Sequence, residues 1–181
     1  DRIGKPLSPY AITKYANELF AENFSRIYGI ETIGLRYFNV FGKRQDPSGA
    51  YAAVIPKFAM SLIRHESPLN SRAFTYIDNV VQANIRALLT PNREAVNTVY
   101  NVAFGKRTTL TQLFTCLRDD FSMFDREIAK IAPVYGPERT GDIPPSLADI
   151  GKARRLLGYA PEIDVEEGLR RTSRWYFDHL R

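Results

Sequence analysis

Tyr10 and Lys14 place a phenol and an ammonium four residues apart, at the start of a stretch with helical periodicity. Residues at i and i+4 share one helical face, one turn apart. A phenol with an ordinary pKa of about 10 is a poor base at neutral pH, and a fixed positive charge beside it favours the phenolate. The pair is therefore a candidate proton-transfer unit for a substrate hydroxyl. Spacing alone does not establish this, because Tyr-x-x-x-Lys falls by chance on many helices. Other residues could hold an anion. Ala52-Ala53-Val54-Ile55-Pro56 opens a second helical stretch, and N–H groups at a helix start are natural anion ligands. Val54 and Ile55 also suit an ordinary core face, which is the preferred reading for Ile55. Arg72 and Arg139 carry guanidinium forks that match a diphosphate, although a loop arginine is most often simply exposed. Asn39 follows a strand end, where α/β folds place ligands. A turn-forming asparagine is the plainer reading of that residue.

The elements that must position these groups follow from local pattern. Ser8 is a suitable N-cap and Pro9 suits the first helical position. Ile12, Tyr15, Ala16, Leu19, Phe20, Phe24, Ile27 and Tyr28 keep helical spacing, and Gly29 fits the C′ position. Thr32–Tyr37 reads as a short buried strand. A helix followed by such a strand, with candidate chemistry at the helix start, predicts a doubly wound parallel α/β sheet. Residues 39–51 read as a polar loop, and helix resumes from about Ala52 to Ile63. Phe74–Ile77 is strand-like, with Asp78 capping a helix to Ala87 or Leu89. Thr98–Ala103 alternates as a strand. Thr109 and Gln112 form a capping-box pattern that opens a helix to about Phe121. Residues 131–148 are rich in Pro and Gly and read as loop. Asp149 and Asp164 read as N-caps of two closing helices, with Glu167 in the capping-box position after Asp164.

At 181 residues the chain is long enough for a full core. The formal charge of +5 is spread out; the adjacent arginine pairs, Arg154-Arg155 and Arg170-Arg171, sit in amphipathic helical patterns. That scatter argues against a nucleic-acid-binding stripe. No apolar run is long enough to span a membrane. His65 and His179 lack metal-ligand spacing, so no metal is expected. Cys116, the single cysteine, cannot form an internal disulfide and reads as a packed thiol on an apolar helical face. A cytoplasmic location is the resulting expectation.

The run Lys5-Pro6-Leu7-Ser8-Pro9-Tyr10 through Lys14, followed by Leu35-Arg36-Tyr37-Phe38-Asn39-Val40-Phe41-Gly42, resembles the extended short-chain dehydrogenase/reductases that act on nucleotide sugars. Within that branch the chain is most similar to the UDP-N-acetylglucosamine 4-epimerases, and the resemblance runs nearly from end to end. It implies part of a Rossmann-type sheet over residues 1–51. It further implies a smaller mixed α/β region that binds the nucleotide sugar over 52–181, of which about 74–103 returns to the dinucleotide-binding domain. Asp1 stands where a Met is expected, and no Gly-x-x-Gly-x-x-Gly loop occurs. The residues are thus expected to be the C-terminal half of a longer enzyme. The turn before Ser71-Arg72 is about half a dozen residues shorter than the family pattern.

The resemblance also assigns roles. Tyr10 and Lys14 become the catalytic pair and touch NAD, with Tyr37 and Phe38 packing its nicotinamide. Asn39 would hydrogen-bond the sugar-nucleotide diphosphate, Gln45 would reach the sugar pocket, and Ala53 and Val54 would lie against the substrate. Arg72 and Arg139 would take the phosphates, and Asp142 would accept from the ribose hydroxyls. Ala73 departs from the Asp usual after the Arg72 position, which would loosen that arginine. Ser146, where the family's glucose-restricted members are bulky, would leave room for an acetamido group; an ordinary loop serine is the alternative. The implied reaction is epimerisation at C4 of UDP-N-acetylglucosamine. Tyr10 removes the 4-hydroxyl proton, the C4 hydride passes to bound NAD+, the keto sugar turns over, and hydride returns to the other face. A homodimer through the helix from Pro9 to Tyr28 is expected. The rival expectations are another NAD-dependent nucleotide-sugar enzyme (a dehydratase, decarboxylase or reductase) and a non-catalytic sugar-nucleotide-binding fragment.

Overall fold

A computed structural model describes residues 4–46, 54–66, 74–133 and 147–180. Helix α1 spans Pro9–Tyr28 and begins and ends where its caps dictate. The Ser8 hydroxyl accepts from the Ala11 N–H at 3.1 Å. Gly29 adopts the left-handed conformation at φ 68° and donates to the Ser25 carbonyl, a turn that a residue without Cβ makes cheaply. The chain then reverses into strand β1 (Ile33–Tyr37), so the start of α1 lies toward the C-terminal end of β1. Strand β2 (Val40–Phe41) follows, then α2 (Val54–Ile63), β3 (Thr75–Tyr76), α3 (Ile77–Leu89), β4 (Thr98–Val102), α4 (Leu110–Ser122), α5 (Gly151–Leu157) and α6 (Val165–His179). Strands β1 and β4 pair in parallel, with Leu35 opposite Tyr100. Strands β2 and β3 make a second, shorter parallel pair.

Several local expectations change. The loop expected over 39–51 contains β2, because Phe41 is buried edge-on to Phe74 and Tyr76. Two apolar residues are too few to show a strand period. Asp78 does not cap α3: it sits inside the first turn, and Tyr76 occupies the cap with no side-chain bond. Ile150 likewise occupies the cap position of α5, while the Asp149 carboxylate accepts from the Gly151 N–H at 2.7 Å. Asp164 does cap α6, accepting from the Glu167 N–H at 2.9 Å. Glu167, however, turns to Arg170 and Arg171 rather than back to the cap. The Thr109–Gln112 box forms in full. Short 3-10 turns at Arg93–Ala95 and Arg126–Lys130 were not foreseen.

Two cores result. In the larger, Leu113, Leu117 and Phe121 of α4 meet Leu169, Tyr176 and Phe177 of α6, and α2 adds Ile55, Phe58 and Leu62. Ile55 is therefore the core residue expected of it. In the smaller, Tyr100 and Val102 of β4 pack with Val80 and Ala83 of α3 and with Ala153 and Leu157 of α5. Successive strand side chains point to opposite faces. Ile33 and Leu35 accordingly join the smaller core, whereas Arg36 turns the other way, toward α1. Cys116 is half-buried against the larger core, and burial raises its thiol pKa above the ordinary value.

Candidate active site

Tyr10 stands in the first turn of α1 and is 54% exposed. The Lys14 ammonium lies over its ring, 5.2 Å from the centroid, at a distance where the ring face attracts a cation. The helical spacing thus brings the two groups together. They line a cleft of about 780 Å3 along with Tyr37, Arg36, Glu18 and Lys152. The lining runs along β1 from Gly34 to Tyr37 and onto Thr98 and Val99 of β4. Among the described residues β1 pairs only with β4, and the other edge presents unpaired backbone groups.

The remaining candidates distribute unevenly. Tyr37 is half exposed, and its hydroxyl donates to the Asn84 side chain of α3 at 3.0 Å. Phe38 is not among the cleft residues; it packs on the smaller core and lines a separate crevice with Phe74, Phe104 and Leu147. Asn39 lies just past the end of β1, exposed, with φ 39°. Its carbonyl accepts from the Thr75 N–H at 3.1 Å, and the Thr75 hydroxyl donates to the Phe38 carbonyl at 2.6 Å. These bonds fix the backbone here, and Asn39 itself stays exposed. Gln45 donates to the Val40 carbonyl at 3.0 Å, with its own Oε1 buried and unbonded. Val54 is the first residue of α2. Ala53, Arg72, Arg139, Asp142 and Ser146 lie outside the described residues.

Three cleft residues were missed in sequence. Glu18 extends the Tyr10–Lys14 spacing by one more turn. Its carboxylate takes both Nε and Nη2 of Arg36, each at 2.7 Å. Each side chain of this pair is about one-fifth exposed, and the hydrogen bond to Glu18 holds the Arg36 pKa above its ordinary value. Lys152 of α5 donates to the Thr98 hydroxyl and the Val99 carbonyl. Burial, helped by the charge of Arg36, pulls its pKa below the ordinary value. The repeat at 10, 14 and 18 was the available signal for Glu18; Arg36 and Lys152 meet the site only through tertiary pairing.

No group of three or more His, Cys, Asp or Glu side chains among the described residues could hold a metal. No helix among them is long and apolar enough to cross a membrane.

Residues 1–103 match the NAD dependent epimerase/dehydratase family, and the chain belongs to it. Among solved structures, the chain is similar to UDP-glucose 4-epimerase of Thermotoga maritima with UDP-glucose, at 37% identity and a TM-score of 0.84, over 99% of this chain and 56% of that one. It is also similar to UDP-N-acetylglucosamine 4-epimerase of Methanobrevibacter ruminantium in complex with UDP-N-acetylmuramic acid, at 38% identity and a TM-score of 0.83, over 96% and 55%. A UDP-glucuronate 4-epimerase of Thermodesulfobacterium geofontis is 33% identical over 99% of this chain and 53% of its own length. The chain therefore spans about half the length of the relatives it matches. Its parallel strands belong to the Rossmann-type α/β architecture of these enzymes. NAD is the cofactor of the family. The groups present suit its nicotinamide-ribose end: an ammonium and a phenol one turn apart, open to a cleft at a strand's C-terminal end, with the Tyr37 ring on the same cleft.

Proposed function

We propose that this chain is the catalytic and substrate-binding part of a UDP-sugar 4-epimerase, with the UDP-N-acetylglucosamine/UDP-N-acetylgalactosamine pair as its substrates. The observation that carries the reading is the Tyr10–Lys14 pair, stacked at 5.2 Å and facing a cleft beside the end of β1. Tyr10 takes the proton of the sugar 4-hydroxyl as C4 is oxidised, and returns it when the keto group is reduced from the other face. Lys14 places its ammonium over the ring of Tyr10, the group that acts as base. Bound NAD supplies the two-electron acceptor that takes and gives back the C4 hydrogen. Tyr10 and Lys14, with Tyr37 beside them, hold its nicotinamide-ribose end. Phe38 acts on that end from behind, as packing, since it lies outside the cleft.

Substrate is anchored at its nucleotide end while the sugar turns. Asn39, beyond β1, receives the diphosphate together with Arg72 and Arg139, and Ala53 and Val54 lie against the substrate. Asp142 accepts from the ribose hydroxyls, and Gln45 reaches the sugar. The N-acetyl preference rests on the small side chain of Ser146 and on the similarity to a UDP-N-acetylglucosamine 4-epimerase.

The domain assignment belongs to the same reading. Residues 1–51 and about 74–103 form one end of a larger parallel sheet, whose next strand lies along the edge of β1 that is left unpaired among the described residues. The rest, within 52–181, binds the nucleotide sugar. Ile12, Leu19, Phe20, Phe24, Ile27 and Tyr28 leave α1 with an exposed apolar surface, and a second copy of α1 covers it in a homodimer. A cytoplasmic location goes with the unpaired cysteine.

The test is made on the full-length protein. NAD released on denaturation is quantified, and interconversion is followed for the UDP-linked N-acetylglucosamine, glucose and glucuronate pairs. Fastest turnover of the N-acetyl pair supports the reading. Faster turnover of either other pair overturns the substrate assignment, and NAD-loaded protein that interconverts none overturns the epimerase.

A further inference from the structure

We propose that the Glu18–Arg36 pair is a positioning clamp that sets where Tyr10 and Lys14 stand over the cleft; this rests on the epimerase reading above. Helix α1 buries none of its residues, so packing does not fix its rotation or tilt against β1. The fork of Arg36 does supply such a constraint. It rises from the penultimate residue of β1 and grips both oxygens of Glu18 at 2.7 Å. A bidentate guanidinium–carboxylate pair fixes direction as well as distance. Both side chains are largely shielded from water, so the pair is far less screened than a surface contact. Lys152, on the same cleft, is tied instead to Thr98 and Val99 of β4 and lies over the Tyr100 ring.

Helical rise gives the clamp its leverage. Lys14 and Tyr10 lie four and eight residues nearer the start of α1 than Glu18, about 6 and 12 Å along the axis at 1.5 Å per residue. They form an overhang of two turns. A tilt of about 10° released at Glu18 would move Tyr10 by roughly 2 Å, and a misplacement of about 1 Å at a reacting group is enough for a hundredfold loss of rate. Proton transfer at C4 should therefore depend on the clamp, whereas the nucleotide end of the substrate is gripped elsewhere and should not.

The test compares Glu18→Gln, Arg36→Lys and the charge-swapped pair Glu18→Arg with Arg36→Glu in the full-length protein, with Glu22→Gln, an exposed carboxylate one turn further along α1, as control. Expected are a fall of at least about tenfold in kcat for Glu18→Gln and Arg36→Lys, with KM for the UDP-sugar within about twofold. The swapped pair should recover part of the loss, and amide hydrogen exchange across residues 9–18 should quicken in the single variants alone. An unchanged kcat in Glu18→Gln, or a KM that rises in step with the loss of kcat, overturns the clamp. An inactive parent protein would sink the epimerase reading instead, and the exchange data would then decide the clamp: protection across 9–18 equal to the parent's overturns it.

Discussion

Helices α1 and α6 are both long and both amphipathic, yet they are held in opposite ways. Helix α6 buries seven of its residues, from Val165 to Phe177, and four of them join the larger core, whereas α1 buries none. Helix α6 is placed by packing; α1 is placed by its caps, its short link to β1 and the Glu18–Arg36 pair. The groups assigned to chemistry sit on α1. The larger core and the proposed reactive pair thus lie in different regions, and adjusting that pair would cost little packing. The same division leaves α1's apolar surface uncovered among the described residues, which is why a second copy of it is the proposed cover.

Substitutions that separate the two regions give this contrast an order. Leu169→Ala, at a fully buried position of α6, should cost about 2–5 kcal/mol through lost burial and the cavity left behind, read as a lower denaturant midpoint. Gly168→Ala should follow with about 1–3 kcal/mol of overpacking: a Cβ there would lie 2.8 Å from Phe41 Cζ and from Tyr76 Cδ2. On α1, Ser8→Ala removes the bond to Ala11 N and should cost about 1 kcal/mol, seen as fraying of the first turn and weaker protection around Tyr10. Phe20→Glu, on the exposed face, should change the stability of the isolated chain by no more than about 0.5 kcal/mol while converting dimer to monomer in sedimentation. A loss of folding comparable to Leu169→Ala would break the contrast.

The smallest effect concerns Asp120 of α4, whose Oδ2 is buried without a partner. Burial raises its pKa above the ordinary carboxylate value, more than Arg170 and Ser173 lower it. The folded state therefore holds this proton more tightly than the unfolded chain, and the stability Asp120 allows falls as pH rises through its raised pKa. Asp120→Asn should raise the melting temperature at neutral pH, and the gain should shrink as pH drops toward the ordinary Asp range.

What could be read from sequence was local. The Ser8, Pro9 and Gly29 signals bounded α1 correctly, and Thr109 with Gln112 opened α4, because caps involve residues within one turn of each other. The Tyr10–Lys14 approach was legible for the same reason. Pairings made by the fold were not. Strands β2 and β3 are two residues each and meet across more than thirty positions of chain. Arg36 reaches Glu18, and Tyr37 reaches Asn84, only after β1 has been laid between α1 and α3. Phe38 reads as a neighbour of Tyr37 at the cofactor, but it falls one residue past the end of β1, where the chain turns it onto the smaller core and a separate crevice.

The central claim is that the Tyr10 hydroxyl moves the proton at the sugar C4. Its most direct test is the rate of UDP-sugar epimerisation by full-length Tyr10→Phe, measured with its NAD content and melting temperature. A loss of at least about a hundredfold is expected, in the range typical for removal of a positioned acid–base group, with NAD retained and the melting temperature unchanged. Turnover within a few-fold of the parent would contradict it.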